Sequence, residues 1–154
     1  MKTGKCRCGS RIFFNNHSCL RCHARLGRCI PCGSLTSVSN KKTSWICDSC
    51  GIVVHACSNQ SHRVCHSFNE LANTLCRFCQ FTSVIPPLSQ PESVRRWATM
   101  ESAKRRLLLQ LEELNLPPFT GDVQQSHPLS FEFLENSVDA QGQTNNVTTG
   151  HENG

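Results

Sequence analysis

The chain of 154 residues is poor in the side chains that build an ordinary hydrophobic core. It has no tyrosine, only two tryptophans and two methionines, and an aromatic content of 6%. Small units with so few large apolar side chains usually need a further source of stability, either disulfides or bound metal. A single large apolar core is therefore not expected, and the fold should depend on cross-links.

Two further absences bear on the cellular compartment of the protein. The N-terminus has no apolar run that could form the core of a secretory signal, and no later segment is long and apolar enough to span a bilayer. The sequence therefore predicts a cytoplasmic protein with no membrane partner. In that compartment thiols stay reduced, so paired cysteines hold metal more often than they form disulfides.

Cysteine is the residue that the sequence has in abundance. All 12 cysteines lie between Cys6 and Cys79, and most form C-x-x-C pairs. Two thiolates on one tight turn can hold one side of a tetrahedral metal ion, and a second pair completes the site. The simplest prediction is three structural Zn²⁺ sites taken in chain order. Their ligands are Cys6, Cys8, Cys19 and Cys22, then Cys29, Cys32, Cys47 and Cys50, then Cys57, Cys65, Cys76 and Cys79.

The predicted fold is a small metal-stabilised α+β structure. It consists of tandem zinc ribbons, which are short β-hairpins with cysteine knuckles, followed by one amphipathic helix and a largely disordered C-terminal tail. The predicted segments are a first ribbon (1–27), a second ribbon (28–54), a third zinc-binding cluster (55–88), a linker helix (89–116) and a remainder that is mostly disordered (117–154).

The helix has the clearest local signals. Ser89 and Glu92 have the spacing of a capping box, and Pro91 is tolerated in a first turn. Apolar residues at helical spacing predict that this helix has a buried face made of Trp97, Met100, Leu107, Leu111 and Leu114.

Beyond the helix, alternating residues at 129–134 predict a lone strand without a partner, and polar composition predicts disorder over 136–154.

The ligand assignment has two alternatives. His55, His62 and His66 lie near the third quartet, and any of them could replace Cys57 or Cys65, because neutral imidazole is a good zinc ligand. The cysteine pairs could also alternate between sites, as they do in cross-braced ring-like adaptors. Spacing alone does not separate this arrangement from the sequential one.

The net charge of +5 is a weak argument for a nucleic-acid partner. A zinc ion bound to four thiolates carries a net charge of about −2, so three such sites would bring the chain to about −1. The basic residues also lie in the cysteine-rich part, since no Lys or Arg follows Arg106. The arginines adjacent to cysteines are expected to offset thiolate charge; they are Arg7, Arg21, Arg28 and Arg77.

Several motifs in the chain occur together in one known family. They are Cys6-Arg7-Cys8-Gly9, Phe13-Phe14-Asn15-Asn16, Cys19-Leu20-Arg21-Cys22, the wide Cys57/Cys65 pair before Leu75-Cys76-x-x-Cys79, Leu88-Ser89-x-Pro91-Glu92, and Thr149-Gly150-His151-Glu152. With them the chain resembles a bacterial family of putative zinc-binding metallopeptidases, in which a zinc-ribbon domain precedes a peptidase domain.

The resemblance implies a catalytic zinc on an H-E-x-x-H helix, where two histidines bind metal and the glutamate activates water. The chain has no such motif, because His151-Glu152 is followed only by Asn153 and Gly154. It is therefore expected to be the part of the family that precedes the motif, with no catalytic residues and no activity by itself. Residues 117–154 would then be the truncated start of the peptidase domain.

The expected partner is a protein or peptide, or a separately encoded peptidase domain. An alternative is a nucleic-acid or transcription-associated zinc-ribbon protein. This alternative is suggested by the knuckle, glycine and apolar strand of residues 47–54. Salt-dependent binding to DNA or RNA would distinguish it.

Overall fold

The computed structural model describes residues 3–116, 118, 129–138 and 143–147. This part of the chain contains one α-helix, α1, at Pro91–Glu113, and two short 3₁₀ turns at Ser58–Gln60 and Cys79–Phe81. The strands are β1 (Thr3–Lys5), β2 (Arg11–Phe13), β3 (Arg25–Cys29), β4 (Leu35–Lys41), β5 (Ser44–Cys47), β6 (Val53–Ala56), β7 (Ser67–Asn69), β8 (Thr82–Val84), β9 (Phe131–Glu132), β10 (Ser137–Val138) and β11 (Thr144–Asn145).

Seven of these strands form one sheet in the order β2-β1-β4-β3-β7-β6-β5, and β4 also pairs with β5. That last pairing closes β4, β3, β7, β6 and β5 into a ring. Val38 lies at the closure, opposite Arg25 of β3 on one edge and Cys47 of β5 on the other. Closure leaves these five strands without a free sheet edge, and the β1–β2 hairpin joins the ring along β4.

The predicted boundary between 27 and 28 falls within β3. The first and second ribbons are thus parts of one sheet, because the cysteine knuckles lie at strand ends and leave the strands free to pair across the boundary. Gly27 permits a close approach inside the ring, since a Cβ there would lie 2.0 Å from the His66 carbonyl oxygen on the neighbouring segment.

Cysteines occupy the centres of three of the buried clusters. Cys6 and Cys19 pack with Ile12, Ala24, Leu26 and Leu35, and the ring holds Cys29 and Cys47 with Val38, Val54 and Phe68. A third cluster joins Cys57, Cys65, Cys76 and Cys79 to Phe78 and to Leu108 of α1. The apolar core is thus small and split into separate clusters, and three of them contain cysteine side chains. This arrangement agrees with a metal-stabilised α+β fold.

Helix α1 begins differently from the capping-box prediction. Its N-cap is Gln90, which makes no side-chain capping bond, and Pro91 is the first helical residue. Gln90 has the extended backbone (φ −108°, ψ 117°) that a following proline favours. The helix therefore starts where proline geometry places it, and the capping-box assignment of Ser89 is wrong.

The predicted buried face of α1 is wrong for three of its five residues. Trp97 is buried as predicted and the partly buried Leu111 packs against the third cysteine cluster, but Met100, Leu107 and Leu114 are 52%, 45% and 67% exposed. The face that packs against the cysteine-rich part carries polar side chains as well as apolar ones. Its buried members are Ser93, Trp97, Glu101, Lys104, Arg105, Leu108 and Leu109.

The strand predicted at 129–134 has a partner. Its β9 portion pairs in parallel with β8, and the Phe133 amide donates to the Val84 carbonyl at 3.0 Å. Strands β10 and β11 pair with each other inside the segment predicted to be disordered, while the rest of that prediction lies outside the described residues. No helix in the described part of the chain is long and apolar enough to cross a membrane.

Candidate metal centres

The first two cysteine quartets are each built from two knuckles of the same local design. In each knuckle the residue after the second cysteine has a left-handed backbone, with φ of +84° at Gly9, +55° at His23, +67° at Gly33 and +74° at Gly51. In three of these knuckles the amide of that residue closes a tight turn on the carbonyl of the first cysteine, as when Gly51 donates to the Cys47 carbonyl at 2.8 Å. Glycine adopts this conformation at no steric cost, which explains three of the four positions.

These knuckles bring the sulfur atoms of each quartet together. In the first site Cys6 Sγ lies 3.4 Å from Cys22 Sγ, and Cys8 Sγ lies 3.6 Å from Cys19 Sγ. In the second site two cross-pairs of sulfur atoms are each 3.9 Å apart; they are Cys29 with Cys50 and Cys32 with Cys47.

The third site uses a different construction and is the most enclosed. Cys57 immediately precedes the first 3₁₀ turn, Cys79 is the first residue of the second, and Cys65 lies shortly before β7. Cys65 Sγ lies 3.8 Å from Cys76 Sγ, and the Cys76 amide donates to Cys57 Sγ at 3.2 Å. All four cysteines of this site are buried, whereas Cys32 and Cys50 of the second site are exposed.

The distances fit a tetrahedral zinc ion. Zinc–sulfur bonds of about 2.3 Å in a tetrahedron place ligand sulfurs about 3.8 Å apart, while a disulfide requires about 2.05 Å. The sulfur atoms of each quartet lie within 4.8 Å of one another, and none of the 12 cysteines is in a disulfide. Each quartet therefore has the size and donor set of a four-thiolate zinc site.

The thiol pKa values point to the same need for a cation. Burial raises the pKa of Cys29 and Cys47, and contacts with the other thiols raise that of Cys79. Hydrogen bonds from Ser10 lower the pKa of Cys8 to about 6. Burial thus opposes ionisation of Cys29 and Cys47, and a bound divalent cation would allow all four thiols of their quartet to be thiolates.

Buried charged side chains surround the second and third sites. Arg28 is 3% exposed, and its Nη2 lies 2.7 Å from Glu112 Oε2 of α1, to which Arg77 also binds. Although burial lowers the pKa of Arg28, its charge interacts favourably with thiolates of both sites, at Cys76, Cys32 and Cys29. Arg28 thus has the charge-compensating position expected for an arginine next to a cysteine.

Sequence reasoning did not identify the pair formed by Glu101 and Lys104. Their 2.7 Å ion pair is buried, and Cys79 Sγ lies 3.6 Å from Glu101 Oε1. The i, i+3 spacing of opposite charges was the available signal. It was not informative because such pairs are usually solvent-exposed.

The three histidines near the third site lie outside the sulfur groups. His55 is in β6, and the ring of His62 lies 5.9 Å from that of Trp97. His66 Nδ1 lies 3.0 Å from Arg105 Nη1, and burial, together with that charge, lowers the pKa of His66 to about 3. The structure groups the cysteines in chain order, and the cross-braced arrangement does not occur among them.

The site geometry defines the class of protein: a small zinc-binding protein with about three structural zinc sites, each surrounded by four cysteines. Residues 4–90 match the family described as a zinc-ribbon domain, and the chain belongs to that family. Residues 93–154 match a second family, described as "Putative zinc-binding metallo-peptidase". The boundary between the two matches lies at the beginning of α1.

The chain is also similar to curated proteins of mycobacteria. Uncharacterized proteins of Mycobacterium tuberculosis and Mycobacterium bovis are 30% identical to it over 149 residues. The match covers 96% of this chain and 39% of each relative, so the chain spans about two fifths of their length. No solved structure gives a significant match.

Proposed function

We propose that the chain is a structural zinc module in which the three quartets are the ligands of three Zn²⁺ ions. The observation that carries this proposal is the set of three groups, each with four sulfur atoms within 4.8 Å of one another. A bound zinc would supply structural cross-linking between strands and loops that have little apolar core of their own.

The proposed role is not catalytic. Four protein ligands fill the tetrahedral coordination of zinc and leave no position for water or substrate, whereas hydrolytic zinc sites keep one position open. The chain would instead hold α1 and the segment that follows it on a rigid base. In longer proteins with both matched families, this base would position the metallopeptidase region or its substrate.

A cysteine-to-serine series with zinc counting tests the ligand assignment. Zinc per chain would be measured by inductively coupled plasma mass spectrometry after purification with limiting metal. Cys19→Ser, Cys47→Ser and Cys76→Ser, one in each site, are each expected to lower the count from three to two. The matched controls are Ser18→Ala and Ser49→Ala, which are expected to retain three zinc ions. An unchanged count in a cysteine variant would show that this cysteine is not a ligand.

A further inference from the structure

A cationic cleft lies between the first ribbon, the third site and α1. It has a volume of about 810 Å³ and is lined by His17, Arg63, His66, Arg105 and Arg106, among others. An adjoining cleft of about 480 Å³ shares three of these residues and adds Arg25. No Asp or Glu is among the described residues that line either cleft. The local charge is therefore positive.

Arg105 lies at the base of this cleft and is only 3% exposed. Its guanidinium packs over Phe14 at 5.5 Å from the ring centroid, and its Nη1 reaches His66 Nδ1. Within the described part of the chain it has no carboxylate partner, and its Nε has no hydrogen-bond acceptor. A buried charged donor without an acceptor is costly, so a hydrogen-bond acceptor that reaches Arg105 would be bound favourably.

His66 provides a second donor, which has no hydrogen bond of normal geometry. Arginine can only donate hydrogen bonds, so Nδ1 of His66 must accept the bond from Arg105, and the ring proton must lie on Nε2. The residue is 4% exposed, and Nε2 makes no hydrogen bond of normal geometry, although the backbone of Phe14 is near. The buried Arg105 Nε of α1 thus lacks an acceptor, and the buried His66 Nε2 has only the poorly placed backbone of Phe14.

The third zinc site does not supply hydrogen-bond acceptors for Arg105 and His66. Arg105 interacts electrostatically with Cys65, so thiolate charge compensates part of the guanidinium charge. That attraction gives neither Arg105 Nε nor His66 Nε2 an acceptor oxygen. The remaining need is for hydrogen-bond acceptors, which an oxyanion supplies.

We propose that this cleft binds the carboxylate of a peptide, with Arg105 and His66 as donors at its base and Arg63 at its rim. Val64, Ala98, Ala103 and Leu107 form an apolar wall of the same cleft, which suits peptide side chains better than a hydrated phosphate backbone. The inference rests on the proposed function, because the zinc-dependent fold brings these elements together.

The test uses the zinc-loaded chain and four probes at one pH and salt concentration. They are an N-acetylated tetrapeptide with a free C-terminal carboxylate, the same peptide with a C-terminal amide, inorganic phosphate and a single-stranded DNA 12-mer. Isothermal titration calorimetry gives the affinity, and the ¹⁵N signals of the His66 ring report contact with the ligand.

Two variants separate binding from folding. Arg63→Glu changes an exposed side chain at the rim, and Arg95→Glu makes the same charge change at a side chain of α1 that is 81% exposed and does not line the cleft. The free-carboxylate peptide is expected to bind about tenfold more weakly to Arg63→Glu and equally well to Arg95→Glu. The free-carboxylate peptide should also bind the unmodified chain, and the amide should not.

The proposal is wrong if both peptides bind equally, if neither binds, or if phosphate or DNA binds more tightly than the carboxylate. Zinc content, measured on the same samples, separates this failure from failure of the proposed function. If the chain retains three zinc ions but binds no carboxylate, only the proposal that the cleft binds a peptide carboxylate is wrong. A chain that lacks zinc overturns the structural assignment as well.

Discussion

Glu101 and Lys104 of α1 form a 2.7 Å ion pair in which the side chains are 0% and 2% exposed. The Glu101 carboxylate also lies beside Cys79 of the third site, and Lys104 binds the Thr82 hydroxyl. This pair therefore ties α1 to the most enclosed cysteine quartet. Lys104 neutralises a carboxylate that would otherwise be buried next to thiolates.

Removal of Lys104 is expected to destabilise the fold strongly. Lys104→Met leaves Glu101 charged and buried, and breaking one partner of a buried pair typically costs about 3–5 kcal/mol. Urea denaturation of the zinc-loaded protein measures the loss. The control is Glu92→Gln, which breaks exposed contacts to Arg95 and Arg96 and is expected to cost less than about 1 kcal/mol. Equal effects of the two variants would contradict a structural role for the buried pair.

Gly27 and Gly9 are expected to respond differently to alanine. A Cβ at Gly27 would lie 2.5 Å from Phe68 Cε2 as well as close to the His66 carbonyl, whereas at Gly9 nothing lies within 4 Å. Gly27→Ala should cost about 3 kcal/mol or more because backbone must shift, and Gly9→Ala about 1 kcal/mol because of its positive φ. Thermal unfolding compares the two variants. If they unfold at the same temperature, the close approach of β3 and β7 is wrong.

Glu112 is expected to stabilise the packing of the end of α1 on the second and third cysteine sites. Glu112→Gln removes the carboxylate that binds Arg28 and Arg77, and leaves the buried Arg28 without that partner. We expect a loss of about 2–3 kcal/mol in the free energy of unfolding. Glu70→Gln, at an exposed position, serves as the control and should change stability by less than about 0.5 kcal/mol. A neutral Glu112→Gln would show that this contact does not hold the helix.

The three sites should lose zinc at different rates. Cys32 and Cys50 are exposed and all four cysteines of the third site are buried, so a thiol reagent reaches the second site first. Under N-ethylmaleimide, modification of Cys50 is expected to precede that of Cys76 by about tenfold in rate, because susceptibility follows exposure. Peptide mapping by mass spectrometry follows both cysteines in one sample. Simultaneous modification would indicate that the sites open together.

The cysteine pattern predicted the grouping of sulfur atoms well because ligand spacing is a local property. A knuckle needs only two cysteines and a residue such as Gly9 or Gly51 with a left-handed backbone, and these lie within a few positions of each other. The sequence therefore indicated which cysteines share a knuckle, whereas spacing alone left open how the pairs after Cys22 combine into sites.

The ring of strands could not be predicted in the same way. It depends on pairing between distant segments, such as β3 with β7, and short strands carry little information about their partners. The separate pairing of β8 with β9 joins segments that are equally distant in the chain. The face of α1 was misassigned for a related reason. Hydrophobic periodicity assumes an apolar neighbour, whereas α1 packs against charged groups. Glu112 pairs with Arg28, and Lys104 pairs with Glu101 beside Cys79.

The central claim is that each zinc is held by four sulfur atoms and has no open position. Zinc K-edge X-ray absorption on the fully loaded chain measures this shell directly. The account predicts only sulfur neighbours, four per zinc at about 2.3 Å. A fitted nitrogen or oxygen neighbour amounting to one ligand in one of the three sites would contradict it and would indicate a histidine or water at that zinc.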